Sequence, residues 1–180
     1  MERNLAYVAL FAALIAILTI VPAVTLPSGV PVTAQTLGVM LAGAVLGSRL
    51  GFAAVALYVV LGLIGLPIFS GGTGGFGVLA GPTGGFLIGF PFAAFVTGFI
   101  VERWRVQIGL SAFVAAVIGG IAVLYAFGIP GMALALGKPL AVAAGFATPF
   151  IPGDLLKAAL AALITQGMAK ARPQAMLSRR

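Results

Sequence analysis

Two charged side chains near the end of a very apolar chain, Asp154 and Lys157, have the types and the spacing to do chemistry. Asp154 is the only Asp in the sequence, and it follows Pro152 and Gly153 at the start of an apolar run. Residues three apart on a helix share a face, so a carboxylate and an ammonium group can point into one cavity. A helix cap with a local ion pair is the simpler interpretation. Ionisable groups in a membrane bundle are costly and usually face a cavity, which favours a binding site.

The composition identifies lipid as the solvent of this chain. Its 180 residues are 62% hydrophobic and only 7% charged, with a mean hydropathy of +1.22. No soluble domain covers its surface with so few charges. The net charge of +7 would favour nucleic-acid binding in a soluble protein, but the basic residues are scattered singly between apolar runs. We therefore expect a protein of the lipid bilayer with no nucleic-acid partner.

The residue types that are missing exclude most catalytic chemistry. The sequence contains no His and no Cys, which excludes thiol chemistry, the usual zinc sites and His-based catalytic triads. It also has no Walker motif for ATP hydrolysis and no nucleophile elbow. We therefore expect no enzyme, no catalytic residues, no metal site and no cofactor bound by this chain.

The apolar runs predict a single all-α membrane domain over residues 1–180. A span needs about 20 apolar residues to cross roughly 30 Å of hydrocarbon. About six helices are predicted, at residues 5–24, 33–46, 51–66, 83–101, 108–127 and 154–171. A further short helix is predicted at 140–146, within a proline-containing stretch between the last two spans.

The basic residues predict the orientation of the bundle. Eight of the ten Lys and Arg residues fall at the termini or at the turns after even-numbered helices: Arg3, Arg49, Arg103, Arg105, Lys170, Arg172, Arg179 and Arg180. By the positive-inside rule this side is cytoplasmic, and so are both termini. The outer side then carries three long loops, at 22–32, 67–82 and 128–153, which predicts a pocket open to the outside near Asp154 and Lys157.

A glycine-rich stretch occupies the middle outer loop. Residues 70–77 and 81–86 read Ser-Gly-Gly-Thr-Gly-Gly-Phe-Gly and Gly-Pro-Thr-Gly-Gly-Phe. Such backbone can approach a ligand closely and offer N–H groups to an anion or to polar atoms. A flexible connector has the same composition. The apolar residues among the glycines favour a lid that docks on a pocket.

Two further features have both a packing and a functional interpretation. Ala9 and Ala13, with further alanines around them on the first helix, let another helix approach closely, either within the bundle or from a partner subunit. Gln35 and Thr36 at the outer end of the second helix, and Tyr58 in the third, are either polar contacts between helices or, for Gln35, a ligand contact.

Three motifs in this order make the chain similar to a known family. They are Val-Thr-Ala-Gln-Thr at 32–36, the glycine-rich loop followed by Gly-Pro-Thr-Gly-Gly-Phe at 81–86, and Pro-Gly-Asp-Leu-Leu-Lys at 152–157. Together they resemble the BioY family, the biotin-binding S components of energy-coupling factor (ECF) transporters. The resemblance covers essentially the whole chain, including its length and its alanine motif.

The resemblance implies a function, partners and site residues. The function is capture of biotin from outside a prokaryotic cell membrane, and the partners are a transmembrane coupling protein and two cytoplasmic ATPases that use the ATP. Ala9 and Ala13 are expected to contact the coupling protein. The expected biotin contacts are Asp154, Lys157, Thr73, Gly72, Gly74, Gln35 and Phe86.

The chemistry of biotin agrees with this set, because a ureido ring, an apolar chain and a carboxylate match one Asp, one Lys and many Phe and Leu walls. We expect Asp154 to accept a ureido N–H and Lys157 to pair with the carboxylate. The alternatives are a stand-alone secondary transporter, an S component for another small vitamin and an intramembrane enzyme. A stand-alone secondary transporter is disfavoured, because the sequence has no acidic residue in mid-membrane and no inverted repeat. An intramembrane enzyme is disfavoured, because no further residues complete a catalytic site.

Overall fold

The computed structural model describes residues 2–20, 24–25 and 31–179, and most of them form apolar helices. The helices are α1 (Glu2–Leu18), α2 (Gln35–Leu46), α3 (Ser48–Leu63), α4 (Gly84–Arg103), α5 (Ile108–Val117), α6 (Leu124–Leu136), α7 (Leu140–Ala147) and α8 (Ile151–Ala171). Three helical stretches in the described part are long and apolar enough to cross a membrane, at 84–103, 108–136 and 140–171. The predicted all-α membrane architecture is confirmed.

The connection between α1 and α2 contains a short pair of antiparallel strands. β1 (Val24–Thr25) pairs with β2 (Pro31–Val32), with Val24 opposite Val32. The first helix, predicted at 5–24, ends at Leu18. The rest of the predicted loop at 22–32 lies outside the described residues.

The predicted outer loop at 128–153 is wrong, because most of it is helical. α5, a π-helix at Ile118–Val123 and α6 form one continuous helix from Ile108 to Leu136, beyond the predicted end at residue 127. Pro130 lies inside α6, and membrane helices tolerate such a proline when neighbouring groups satisfy the freed carbonyl. The helix ends at Gly137, whose φ of 60° is left-handed, so the stop signal is the glycine.

The last part of the chain is also more helical than predicted. The short helix expected at 140–146 is confirmed as α7, and a 3-10 turn at Thr148–Phe150 joins it to α8. α8 begins at Ile151, three residues before the predicted start. Pro152 then lies in the first turn, where a missing N–H costs no helical hydrogen bond. The remaining helices, α2, α3 and α4, begin and end within three residues of the predicted bounds.

α2 is the central helix that positions the site. It packs against α1, α3, α4 and α8, and all of its residues from Gly38 to Leu46 are buried. Gly43 allows α4 to come close, because a Cβ there would collide with the Ala94 carbonyl and the Thr97 side chain. The tight packing fixes the first turn of α2, which carries Gln35 and Thr36, against α3 and α8.

Candidate functional site

Asp154 and Lys157 form an ion pair on one face of the first turns of α8. The Lys157 ammonium donates to the Asp154 carboxylate, with Nζ and Oδ1 2.8 Å apart. The Asp154 side chain is only 6% exposed and that of Lys157 14%. The predicted shared face of the two residues is confirmed. A charge buried this deeply needs further hydrogen bonds to offset its lost hydration.

Thr36, in the first turn of α2, supplies one of these hydrogen bonds. Its hydroxyl oxygen lies 3.0 Å from Lys157 Nζ, from which it accepts, and 3.3 Å from Asp154 Oδ1, to which it donates. The hydroxyl therefore ties both members of the ion pair to the central helix. From the sequence alone, Thr36 is predicted only to be a polar contact between helices.

Tyr125, in α6, completes the set of partners. Its hydroxyl donates to the second carboxylate oxygen, Oδ2 of Asp154, over 2.7 Å. Both oxygens of the carboxylate are thus occupied by donors from three different helices. We refer to Asp154, Lys157, Thr36 and Tyr125 as the Asp154 network. Tyr125 was missed from the sequence, although a tyrosine inside an apolar span is itself a signal, because its hydroxyl needs a partner there.

A second chain of hydrogen bonds begins one residue away, at Gln35. Its side-chain oxygen accepts from Thr33 Oγ1 at 2.9 Å, and its side-chain nitrogen donates to the Tyr58 hydroxyl in α3. Tyr58 in turn donates to the main-chain oxygen of Ile68 over 3.0 Å. Gln35 is buried, and this chain connects the N-terminal end of α2 with the start of the glycine-rich loop.

The glycine-rich loop is docked on the end of α3. The Phe69 ring packs edge-on against Tyr58, with centroids 5.7 Å apart, and it fills the space where a Gly62 side chain would lie. The Gly75 amide donates to the Gly62 carbonyl over 2.7 Å. The docked arrangement fits the lid interpretation better than a free connector.

The tip of this loop is not joined to the Asp154 network. Thr73 is exposed, and its hydroxyl donates to the Ser70 carbonyl over 3.0 Å, within the loop itself. Gly72, with a φ of 69°, and Gly74 are exposed beside it. A Cβ at Gly74 would collide with the Leu66 carbonyl, so this position needs glycine for close backbone approach.

Phe86 forms an apolar wall beside the network. Its ring meets that of Tyr125 edge-on, with centroids 6.1 Å apart, and it packs over Gly128, where any side chain would collide with it. Both rings contact the buried cluster that includes Met132 and Phe150. The site thus combines a buried donor–acceptor pair with an aromatic wall.

The arrangement of these side chains is suited to binding a ligand and not to catalysis of a covalent reaction. A carboxylate acceptor and an ammonium donor side by side match a ligand group with adjacent N–H and C=O. No group of three or more His, Cys, Asp or Glu residues lies close enough to hold a metal ion among the described residues.

Comparisons with known proteins agree on one family. A model of the BioY family matches residues 2–174. The chain is 51% identical to a biotin transporter BioY of Rhodobacter capsulatus, over 99% of this chain and 100% of that protein. It is 50% identical to a biotin transporter BioY of Rhizobium etli, over 90% of each.

A solved structure has the same fold. It is the crystal structure of the S-component for biotin from an ECF-type ABC transporter, and it superposes with a TM-score of 0.88 at 31% identity. The match covers 94% of this chain and 92% of that one. Family model, sequence relatives and fold agree over nearly the full length, and the chain belongs to the BioY family.

Proposed function

We propose that this membrane protein captures biotin with high affinity as the substrate-binding component of an ATP-driven ECF transporter. The relatives named as biotin transporters support the substrate, and the fold match to a biotin S-component supports the role. The observation that carries the proposal is the buried Asp154–Lys157 pair, held by Thr36 and Tyr125. The protein is a transport component without catalytic residues or a cofactor of its own.

The geometry of the ion pair favours a different assignment of Asp154 and Lys157 to the groups of biotin from the one expected from the sequence. The ureido ring and the carboxylate of biotin lie at opposite ends of the ligand, whereas Asp154 and Lys157 are in direct contact. Both residues therefore bind the ureido group, Asp154 accepting its N–H and Lys157 donating to its carbonyl oxygen. The thioether ring then packs against Phe86.

The carboxylate of biotin is left for the glycine-rich loop. Backbone N–H groups near residues in left-handed conformation form concave anion sites, and Gly71 and Gly72 have φ values of 75° and 69°. In this proposal Gly72, Thr73 and Gly74 close over the ligand when it binds. The hydrogen bonds from Gln35 to Tyr58 and from Tyr58 to Ile68 link α2 to the loop, so a shift of α2 on binding would move the loop as well.

The proposed partners are a transmembrane coupling protein and two cytoplasmic ATPases. The chain has no Walker motif, so ATP must be used by another subunit. Ala9 and Ala13 are exposed on α1, whereas Val8, Ala12 and Ile15 are buried. Small exposed residues one turn apart allow the close approach of a partner helix.

Uptake of labelled biotin tests the function and the docking face together. In cells without their own biotin uptake that produce this chain and its coupling module, we expect saturable uptake. The Ala9→Leu/Ala13→Leu variant should lose about tenfold or more of that uptake while binding biotin normally, because bulk on the face blocks docking only.

A matched control is available on another helix. Ala122 and Ala126 are also exposed and four residues apart, so Ala122→Leu/Ala126→Leu should leave uptake unchanged. Absence of uptake by the unmodified chain would reject the transport proposal. Collapse of binding in the α1 variant would show that these alanines serve internal packing.

We also propose that both termini and the α4–α5 connection face the cytoplasm, because the basic residues gather there. The chain has no Cys, so single cysteines can report the topology without background. Lys138→Cys, in the exposed α6–α7 connection, should react with a membrane-impermeant thiol reagent on intact cells. Gln107→Cys, also at an exposed position, should react only after the cells are opened. The reverse pattern would invert the proposed orientation.

A further inference from the structure

A cavity lies at the opposite end of the bundle from the Asp154 network. It encloses about 520 Å³ between the ends of α1, α2, α3 and α4, within the range of roughly 300–1,000 Å³ typical of small-ligand sites. Its lining includes Asn4, Ser48, Arg49, Phe95, Phe99 and Arg103. The cavity shares no residue with the Asp154 network, and biotin capture does not use it.

Two arginines in this cavity are available to a ligand. Arg49 and Arg103 are exposed, and neither forms an ion pair within the described part of the chain. The one acidic residue of the lining, Glu102, is already engaged, because its two oxygens accept from the Ser48 amide at 2.7 Å and from the Ser48 hydroxyl at 2.8 Å. The lining keeps a net positive charge, because two guanidinium groups face one carboxylate, and neither guanidinium is paired with an acidic side chain among the described residues.

The surroundings of Arg103 indicate what kind of anion fits. Its guanidinium carbon lies 5.3 Å from the centre of the Phe99 ring, a cation–π arrangement that holds the group in place. Phe95 and Phe99 stack with centroids 6.3 Å apart, and they are 40% and 44% exposed. In a membrane protein such an exposed apolar surface at helix depth faces acyl chains.

We propose that this cavity binds the headgroup of an anionic phospholipid, with Arg49 and Arg103 on the phosphate and the acyl chains along Phe95 and Phe99. Arginine binds phosphate bidentately, and basic pockets between membrane helices recognise anionic headgroups. The positive charge of the two arginines favours an anionic headgroup. The adjoining Phe95 and Phe99 favour a lipid over a soluble phosphate, because they offer an apolar surface to acyl chains.

Thermal unfolding of the purified, delipidated protein tests the site. Titration with phosphatidylglycerol should raise the midpoint temperature saturably, whereas phosphatidylcholine and glycerol 3-phosphate should not. In Arg49→Gln/Arg103→Gln the half-saturating lipid concentration should rise about 30-fold. Because both arginines are exposed, the midpoint without lipid should stay unchanged and show that the variant folds.

A charge-matched control separates the site from general attraction. Lys170→Gln/Arg172→Gln also removes two exposed positive charges but lies outside the cavity, and it should titrate like the unmodified protein. An equal loss in both double variants, or no loss in the first, would overturn the proposal. An equal effect of glycerol 3-phosphate would show a free phosphate site, and an equal effect of phosphatidylcholine would show that charge does not matter.

Discussion

Asp154→Asn is expected to weaken biotin binding by about 30-fold or more. The carboxylate is buried, pairs with Lys157 at 2.8 Å and is the acceptor proposed for the ureido N–H. Truncating one partner of a buried, hydrogen-bonded charge pair costs about 2–5 kcal/mol, and each 1.4 kcal/mol is tenfold in affinity. Equilibrium binding of labelled biotin to the purified variant measures this loss.

Glu102→Gln is the control for this substitution. It removes a carboxylate at the other end of the bundle, where Glu102 caps α3 through Ser48, and biotin affinity should remain within threefold of the unmodified value. Thermal unfolding should show both variants folded at the binding temperature. Retention of full affinity by a folded Asp154→Asn would remove Asp154 from the binding site.

The second large effect is expected for Lys157→Met, measured with two ligands. Biotin and its neutral amide, biotinamide, differ only in the charge of the carboxyl group. If Lys157 donates to the ureido oxygen, its loss should weaken both ligands by the same factor, about 30-fold or more. The ratio of the two affinities should then be the same in the variant and in the unmodified protein.

The opposite outcome would restore the expectation that Lys157 pairs with the carboxylate. In that case the preference for biotin over biotinamide would disappear in Lys157→Met, because its cause had been removed. Lys138→Met serves as the matched control, since Lys138 is an exposed lysine outside the network. Its binding of both ligands should not change.

The spacing of Asp154 and Lys157 was enough to predict that they share a face, because helix geometry acts over three residues. The same local rules set the bounds of α2, α3 and α4 to within three residues. They fail for the fifth predicted helix, which is predicted to end at residue 127, three residues before Pro130. In the bundle the helix continues past it to Leu136, since an unsatisfied backbone in lipid costs more than a proline inside a helix.

The partners of Asp154 could not be predicted in the same way. Thr36 and Tyr125 lie 118 and 29 residues away along the chain, and only the packing of α2, α6 and α8 brings them to the carboxylate. A single sequence predicts that a buried carboxylate needs hydrogen-bond donors, but it does not show which residues those donors are. The glycine-rich loop shows the converse, because its motif is clear in the sequence, whereas the hydrogen bond from the Thr73 hydroxyl to the Ser70 carbonyl within the docked loop is visible only in the structure.

Equilibrium binding of radiolabelled biotin to the purified chain alone, in detergent, tests the central claim most directly. We predict saturable binding at one site per chain, displaced by unlabelled biotin but not by riboflavin, and lost together with the charges of Asp154 and Lys157. Absence of saturable binding in a folded preparation, or equal displacement by riboflavin, would contradict the account.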